Sequence, residues 1–551
     1  MSESGNMRIA VEGCGHGTLH AIYASVEKSC QIHGWSAVDL LIIGGDFQAV
    51  RNSYDLNAMS VPPKYRAIGD FHEYYSGARL APCLTLFVGG NHEASNHLWE
   101  LYYGGWVAPR IYYLGAANVV NFGPLRIAGL SGIWSGPDYR KPHSERLPYD
   151  FKELKSIYHQ RELDVRKLLQ LRTQVDVGIS HDWPRKVEWQ GDYKQLFRFK
   201  PHFESDATTG RLGSPAARYV MDRLRPKWWF AAHLHCKFSA VVDHDRETDT
   251  NSGEKSEVMH STKAIKLESK IGQSSDEETF TSPANVHNDD EIDLDIEDDE
   301  PCAAQPAMVQ SAANSVSQAD FTESNGVPID LRAQLPASFA RPTPAGAAAA
   351  PSMAHPKAIS NDRTHFLALD KCLPNRRFLQ MLEIDPISNS SAAARNAPYR
   401  FTYDKEWLAI TRAFAAINPL TSPIPPDEGE SHYRTLIETE EAQIEKNLIE
   451  ADKMVIPENF EVTAPMYDPS VGLHPNEHPR EYTNPQTVAF CKLLGIDNFF
   501  DYSEEDREER RSKDPPADSN SSRGRGGGGG RSRGRGFGGR GRGRGSGRGY
   551  R

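Results

Sequence analysis

Cysteine is scarce: seven occur in 551 residues, and no two are spaced as Cys-x-x-Cys. That excludes a disulfide scaffold or a paired-thiol zinc module and fits a reducing compartment. No apolar run nears the ~20 residues needed to cross a bilayer. The opening stretch, MSESGNMRIAVEG, has no long apolar segment, so no secretory leader is expected. Apolar residues make up only 38%, and mean hydropathy is −0.59. Part of the chain is therefore expected to be disordered. Acids are missing from the tail after Ser522, which is rich in Arg and Gly, whereas residues 289–300 are dominated by acids. The net charge of −11 thus hides a basic arm. A soluble nuclear or cytoplasmic protein of two or three domains is the expectation.

The first 242 residues alternate short apolar runs with helical or loop segments. Met7–Glu12, Val38–Ile43, Leu84–Val88, Val175–Ile179 and Trp228–Ala232 read as buried strands, and Phe238–Val242 as a last one. Residues 111–134 read as antiparallel strands. Thr18 is placed to cap a helix through Leu19, Ile22, Tyr23 and Val26, and Ser214 and Pro215 to open another. Ser135–Tyr149 reads as an exposed loop and Lys152–Leu171 as a basic helix. The alternation predicts an α/β layered fold. Residues 243–360 lose hydrophobic periodicity and read as a disordered acidic insertion. Residues 361–500 read as a smaller, mostly helical domain, and 501–551 as a disordered charged segment ending in the Arg/Gly tail.

The polar residues just beyond the strands carry the chemistry. Cys14 and His16 follow the first strand, Asp46 the second, and Asn91, His92 and Glu93 the third. His181 follows the Val175–Ile179 strand, and His233 and His235 follow Trp228–Ala232. Open α/β sheets keep their ligands at such strand ends. Any one histidine is more often structural than metal-bound. Here all of them fall at strand ends, and together they form a mixed N/O/S donor set suited to Zn, Fe or Mn. Two metals need a bridging ligand, and Asp46 is the carboxylate available. One metal would take Cys14, His16, Asp46 and one of the last two histidines. The other would take Asp46, Asn91, His181 and the remaining one.

The ordered series Cys14-Gly15-His16, Gly45-Asp46, Gly90-Asn91-His92-Glu93, His181 and Ala232-His233-Leu234-His235 resembles the calcineurin-like metallophosphoesterase superfamily. It departs from the usual pattern at Cys14, where an Asp is usual, and at Ala232, where a Gly is. The cysteine, with Gly45–Asn52, Val61–Arg66, Gly90–His97, Tyr103–Pro109 and Ser180–Pro184, is similar to RNA lariat debranching enzymes. The likeness is strong over 7–242 and weaker near 364–417.

The resemblance implies a metallophosphoesterase layered β-sandwich flanked by helices, with a debranching-enzyme domain over 361–500. It implies hydrolysis of the 2′–5′ phosphodiester at the branch point of excised intron lariat RNA, by metal-activated hydroxide with His92 as general acid. The metal ligands would be Cys14, His16, Asp46, Asn91, His181, His233 and His235, holding up to two Fe(II), Zn(II) or Mn(II) ions. Glu93 would orient His92. Residues 130–160 match the family's lariat recognition loop, where Tyr139, Arg140, Lys141 and His143 would grip RNA through charge and aromatic faces. The Arg/Gly tail resembles RNA-binding segments. Spliceosome-associated proteins would bind through the disordered segments, and the protein would be nuclear with shuttling to the cytoplasm. Two other readings compete: a metallophosphoesterase for another phosphodiester or a phosphoprotein, and an RNA-binding protein with an inactive core.

Overall fold

A computed structural model describes residues 6–244, 355–387, 398–473 and 475–513. The expected acidic insertion and Arg/Gly tail lie outside these residues, apart from 243–244, 355–360 and 501–513. The strands are β1 (Met7–Glu12), β2 (Leu40–Ile43), β3 (Thr85–Phe87), β4 (Gly105–Ala108), β5 (Ile111–Tyr113), β6 (Ala117–Phe122), β7 (Leu125–Leu130), β8 (Val177–Ser180), β9 (Trp228–Ala231), β10 (Phe238–Asp243), β11 (Arg363–Ala368), β12 (Leu379–Ile384) and β13 (Phe401–Tyr403). They form two sheets, ordered β12-β1-β2-β3-β5-β4 and β10-β11-β9-β8-β7-β6-β13. The centre of each is parallel: β1, β2, β3 and β5 in the first, and β11, β9, β8 and β7 in the second.

The period of two along each strand explains the layers. Ile9, Val11, Ile42 and Leu86 of the first sheet pack with Ile127, Ile179, Phe230 and Leu367 of the second. Each such fully buried aliphatic side chain contributes about 1.5–3 kcal/mol. The alternate residues Ala10, Leu41, Ile43 and Phe87 face outward beneath the helix Leu19–His33. On the far side, Ala128, Trp229, Ala231 and Phe366 pack with Val165, Val220, Leu408 and Ile437, residues of helices. The result is a two-sheet sandwich covered by helices on both faces.

Four expectations are corrected. Residues after 361 begin as strands, not helices. β11 enters the second sheet between β10 and β9, β12 flanks β1, and β13 flanks β6. Helices dominate only from Lys405, so this segment completes the sandwich. Thr18 does not cap its helix; the Asp70 carboxylate accepts the Leu19 and His20 N–H groups at 2.9 and 2.7 Å. The predicted Lys152–Leu171 helix is two helices, Phe151–Ser156 and Glu162–Leu168. It breaks because Ile133 bonds the intervening backbone at Tyr158 O and Gln160 N–H. Residues 501–513 are ordered: Ser503 caps a helix, Glu504–Ser512, that ion-pairs with Arg146 and Glu153.

Candidate active site

The C-terminal ends of β1, β2, β3, β8 and β9 converge. One donor atom each from Cys14, His16, Asp46 and His235 lies within 4.8 Å of the others. His16 Nε2 stands 3.3 Å from His235 Nε2 and 3.6 Å from Asp46 Oδ2. The other carboxylate oxygen, Oδ1, faces a second group, 3.4 Å from His181 Nε2. That nitrogen is 3.2 Å from Asn91 Oδ1, and the His181 and His233 rings are 5.1 Å apart. Asp46 therefore stands between two donor sets, with His235 on the Cys14 side and His233 on the His181 side.

The backbone of these turns is strained. His16, Asp46, His233 and His235 have φ of 41°, 46°, 60° and 46°. Non-glycine residues rarely occupy this left-handed region, and when they do the surroundings must enforce it. Backbone bonds supply part of that enforcement. The N–H groups of Gly15, His16 and Gly17 donate to the carbonyls of Gly45, Asp46 and Phe47. Two glycines make the crowding possible. A Cβ on Gly45 would lie 2.2 Å from His181 Nδ1, and one on Gly90 would lie 2.2 Å from Asp46 Oδ1.

The electrostatics suit a cation. Asp46 is 1% exposed, and its Oδ2 has no hydrogen-bond partner among the described residues. Burial alone would raise its pKa, but the His181, His92 and His16 imidazoles hold the carboxyl well below its usual range. Burial would likewise lower His181, and Asp46 instead raises it to about 9. Burial of most of its ring pushes His16 down to about 4 against Asp46, with the His92 and Lys371 charges adding to the fall. His233 Nδ1 is also buried without a partner among the described residues. Buried donors of S, N and O type around one carboxylate fit divalent cations.

Supporting groups fix the rings. His181 Nδ1 lies 2.9 Å from Gly44 O, which directs Nε2 at Asp46. The Gln48 amide lies 3.2 Å from His16 Nδ1 and so holds its Nε2 toward Asp46 and His235. Cys14 Sγ accepts the His233 N–H at 3.2 Å. His92 donates its N–H to Asp46 Oδ1 at 2.8 Å, and its Nε2 lies 3.2 Å from Asn91 Nδ2. Glu93, the residue expected to orient His92, bonds to backbone. Its carboxylate accepts N–H bonds from Phe47, Gln48 and Gly90 at 2.8, 2.7 and 2.9 Å, tying the Asp46 turn to the Asn91 turn. Burial and the Asp46 charge push its pKa up to about 7 against those donors.

The four predicted RNA contacts divide. Arg140 is exposed. Lys141 is 62% exposed and pairs with Asp138 at 2.6 Å. Tyr139 is half-buried against Trp134, with ring centres 4.7 Å apart. His143 is a correction. It is buried, its Nε2 lies 2.8 Å from Asp164, and its N–H donates to Pro419 O. It belongs to the loop's foundation and cannot face RNA. The predicted exposed loop is in fact anchored through alternate buried residues, His143, Glu145, Leu147 and Tyr149.

Other supporting residues had no local signal in the sequence. Asp370 O accepts the Cys14 N–H, and Cys14 O accepts the Cys372 N–H. A segment some 350 residues away in the chain thus sets the first ligand turn. Arg51, fully buried, ion-pairs with Asp55 and Glu100 and also donates to Thr463. It ties the turn after Asp46 to the C-terminal segment.

This fold and site define a metal-dependent phosphoesterase, and residues 7–237 match the calcineurin-like phosphoesterase family model. Residues 361–499 match the model of the lariat debranching enzyme C-terminal domain. The chain is 40% identical to the lariat debranching enzyme of Schizosaccharomyces pombe over 89% of its own length and 96% of the relative's. It is 36% identical to the Arabidopsis thaliana enzyme, covering 90% and 88%, and 37% to the human one, covering 89% and 69%. The chain belongs to the lariat debranching enzyme family.

Proposed function

We propose that this chain is a metal-dependent phosphodiesterase that opens the 2′–5′ bond at the branch nucleotide of excised intron lariats and so releases linear RNA. The position of Asp46 between two donor sets carries the reading. Cys14, His16, Asp46 and His235 would hold one cation, and Asp46, Asn91, His181 and His233 a second. The thiolate of Cys14 favours Fe(II) or Zn(II) over magnesium, with Mn(II) also accommodated by the N/O donors. When bound, such cations supply Lewis acidity and an activated water near neutral pH.

The chain's own groups do the rest. The leaving 2′-oxygen is a poor leaving group as an alkoxide and needs a proton. His92 borders the donor sets, its ring centre 5.8 Å from that of His16, and donates that proton. Such a step is worth about 10²–10⁴-fold. Arg140 and Lys141 neutralise phosphates, and Trp134 and Tyr139 offer faces to unstacked bases. Splicing-associated proteins bind through segments outside the described residues, and the protein works in the nucleus.

One assay tests the reading. Purified protein is incubated with branched 2′–5′ RNA and a linear 3′–5′ control. Opening of the branched RNA alone, lost in His92→Ala, is expected. Cleavage of both substrates favours a general phosphodiesterase, and cleavage of neither sinks the debranching reading.

A further inference from the structure

The turn between β11 and β12 carries cations to the edge of the metal-ligand cluster. Its backbone is tightly closed: Leu373 N–H donates to Lys371 O, Arg376 N–H to Leu373 O, and Asp370 N–H to Arg377 O. Lys371 pairs in register with Cys14 as an isolated parallel bridge. The residues on either side of it bond the same ligand: Asp370 O accepts the Cys14 N–H, and the Cys372 N–H donates to Cys14 O, each at 3.3 Å. Arg377 precedes Phe378, whose carbonyl accepts the Gly13 N–H at 3.1 Å next to Cys14, and Lys237 reaches Gln380 at 2.7 Å. Asp370 is the carboxylate among these groups, 3.6 Å from Arg376. Lys371 makes no ion pair among the described residues. Like charges gathered beside one acid raise the local positive potential and attract anions.

The patch lies against one half of the metal-ligand cluster. It touches the side built from Cys14, His16 and His235. The chain leading into the 135–149 loop approaches from the other half, where Trp134 N–H donates to Asp182 Oδ2 beside His181. A branch nucleotide carries phosphates on its 5′, 3′ and 2′ oxygens, one more than any linear nucleotide. Cations held by the cluster would take the scissile phosphate and the loop would take one strand, which leaves one strand without a grip. We propose that Lys371 and Arg377, with the neighbouring cations, bind a backbone phosphate of that remaining RNA strand. The turn would thereby help to select branched over linear RNA. This rests on the debranching reading.

The test is steady-state turnover of branched RNA by wild type, Lys371→Gln with Arg377→Gln, and the charge-keeping Lys371→Arg with Arg377→Lys. Bis(4-nitrophenyl) phosphate, which has one phosphate, serves as the comparison substrate. The glutamine pair should raise KM for branched RNA about tenfold or more and cut turnover of the small diester by less than about threefold. The dependence of log KM on log salt should flatten by about 0.7, the loss of one phosphate contact on a single strand. The charge-keeping pair should recover most of the loss. Equal losses on both substrates, or an unchanged KM and salt dependence, would overturn the proposal. Absence of wild-type turnover on branched RNA would instead sink the debranching reading, and the phosphate site with it.

Discussion

The strand-end turns and the 135–149 loop flank the same ligand cluster but are held by different forces. The turns are fixed by backbone: left-handed residues, glycines with no room for a Cβ, and main-chain bonds from one turn to the next. The loop is fixed mainly by side chains. Asp164 anchors it through His143, Arg161 pairs with Glu145, and Arg146 pairs with Glu481 while stacking on Tyr502. Arg510 adds bonds to the Arg146 and Leu147 carbonyls. Backbone restraint suits ligands that must not move, and side-chain pairs permit adjustment to a substrate. The turns should therefore fail abruptly on substitution and resist salt. The loop should weaken by degrees and respond to pH and ionic strength.

The largest expected effect is at Asp46. Asp46→Asn removes the shared carboxylate charge and should lower kcat/KM by more than about 10³, because several kcal/mol of charge stabilisation go with it. Metal content measured by mass spectrometry should fall in parallel. Gln48→Ala frees the His16 ring and should cost about 10–100-fold in metal affinity, read by competition with a chelator. A smaller loss would mean that the backbone alone orients the ring.

On the loop side, Asp164→Asn should destabilise the protein by about 3 kcal/mol at pH 7, read by denaturant unfolding, because it leaves Lys167 and His143 without their buried anion. Burial alone would raise the Asp164 pKa; Lys167, His143 and Tyr102 outweigh it and hold the carboxyl well below its usual range. A group depressed on folding stabilises the folded state above its unfolded pKa of about 3.9, and that contribution is lost as pH falls toward the folded value. The gap between wild type and Asp164→Asn should accordingly narrow on acidification below about pH 4. The smallest effect is at Arg146. Arg146→Ala loses partly exposed pairs worth about 0.5–1 kcal/mol, so KM for branched RNA should rise a few-fold and the difference should shrink in high salt.

The same contrast explains what the sequence disclosed. The ligands were legible because each follows an apolar strand, a pattern written locally. Asn91, His181 and the two histidines after β9 needed only their order to be grouped. Their partition between two sets needed coordinates, since nothing in His233-Leu234-His235 says which ring turns toward Cys14. Long-range support was not legible at all. Asp370 behind Cys14, Thr463 on Arg51 and Pro419 on His143 are separated from their partners by hundreds of residues. His143 misled because a polar residue among Tyr, Arg and Lys looks solvated, while Asp164 buries it from the helix Glu162–Leu168. β11 and β12 misled because two strands ahead of several helices resemble the start of a separate domain.

The central claim is that Asp46 joins two cation sites, and anomalous diffraction from crystals grown with Mn(II) or Zn(II) tests it most directly. The account predicts two peaks, one on each side of the Asp46 carboxylate, with Cys14, His16 and His235 around the first and Asn91, His181 and His233 around the second. Peaks that leave Asp46 without a cation, or a cation held by His233 on the Cys14 side, would contradict it.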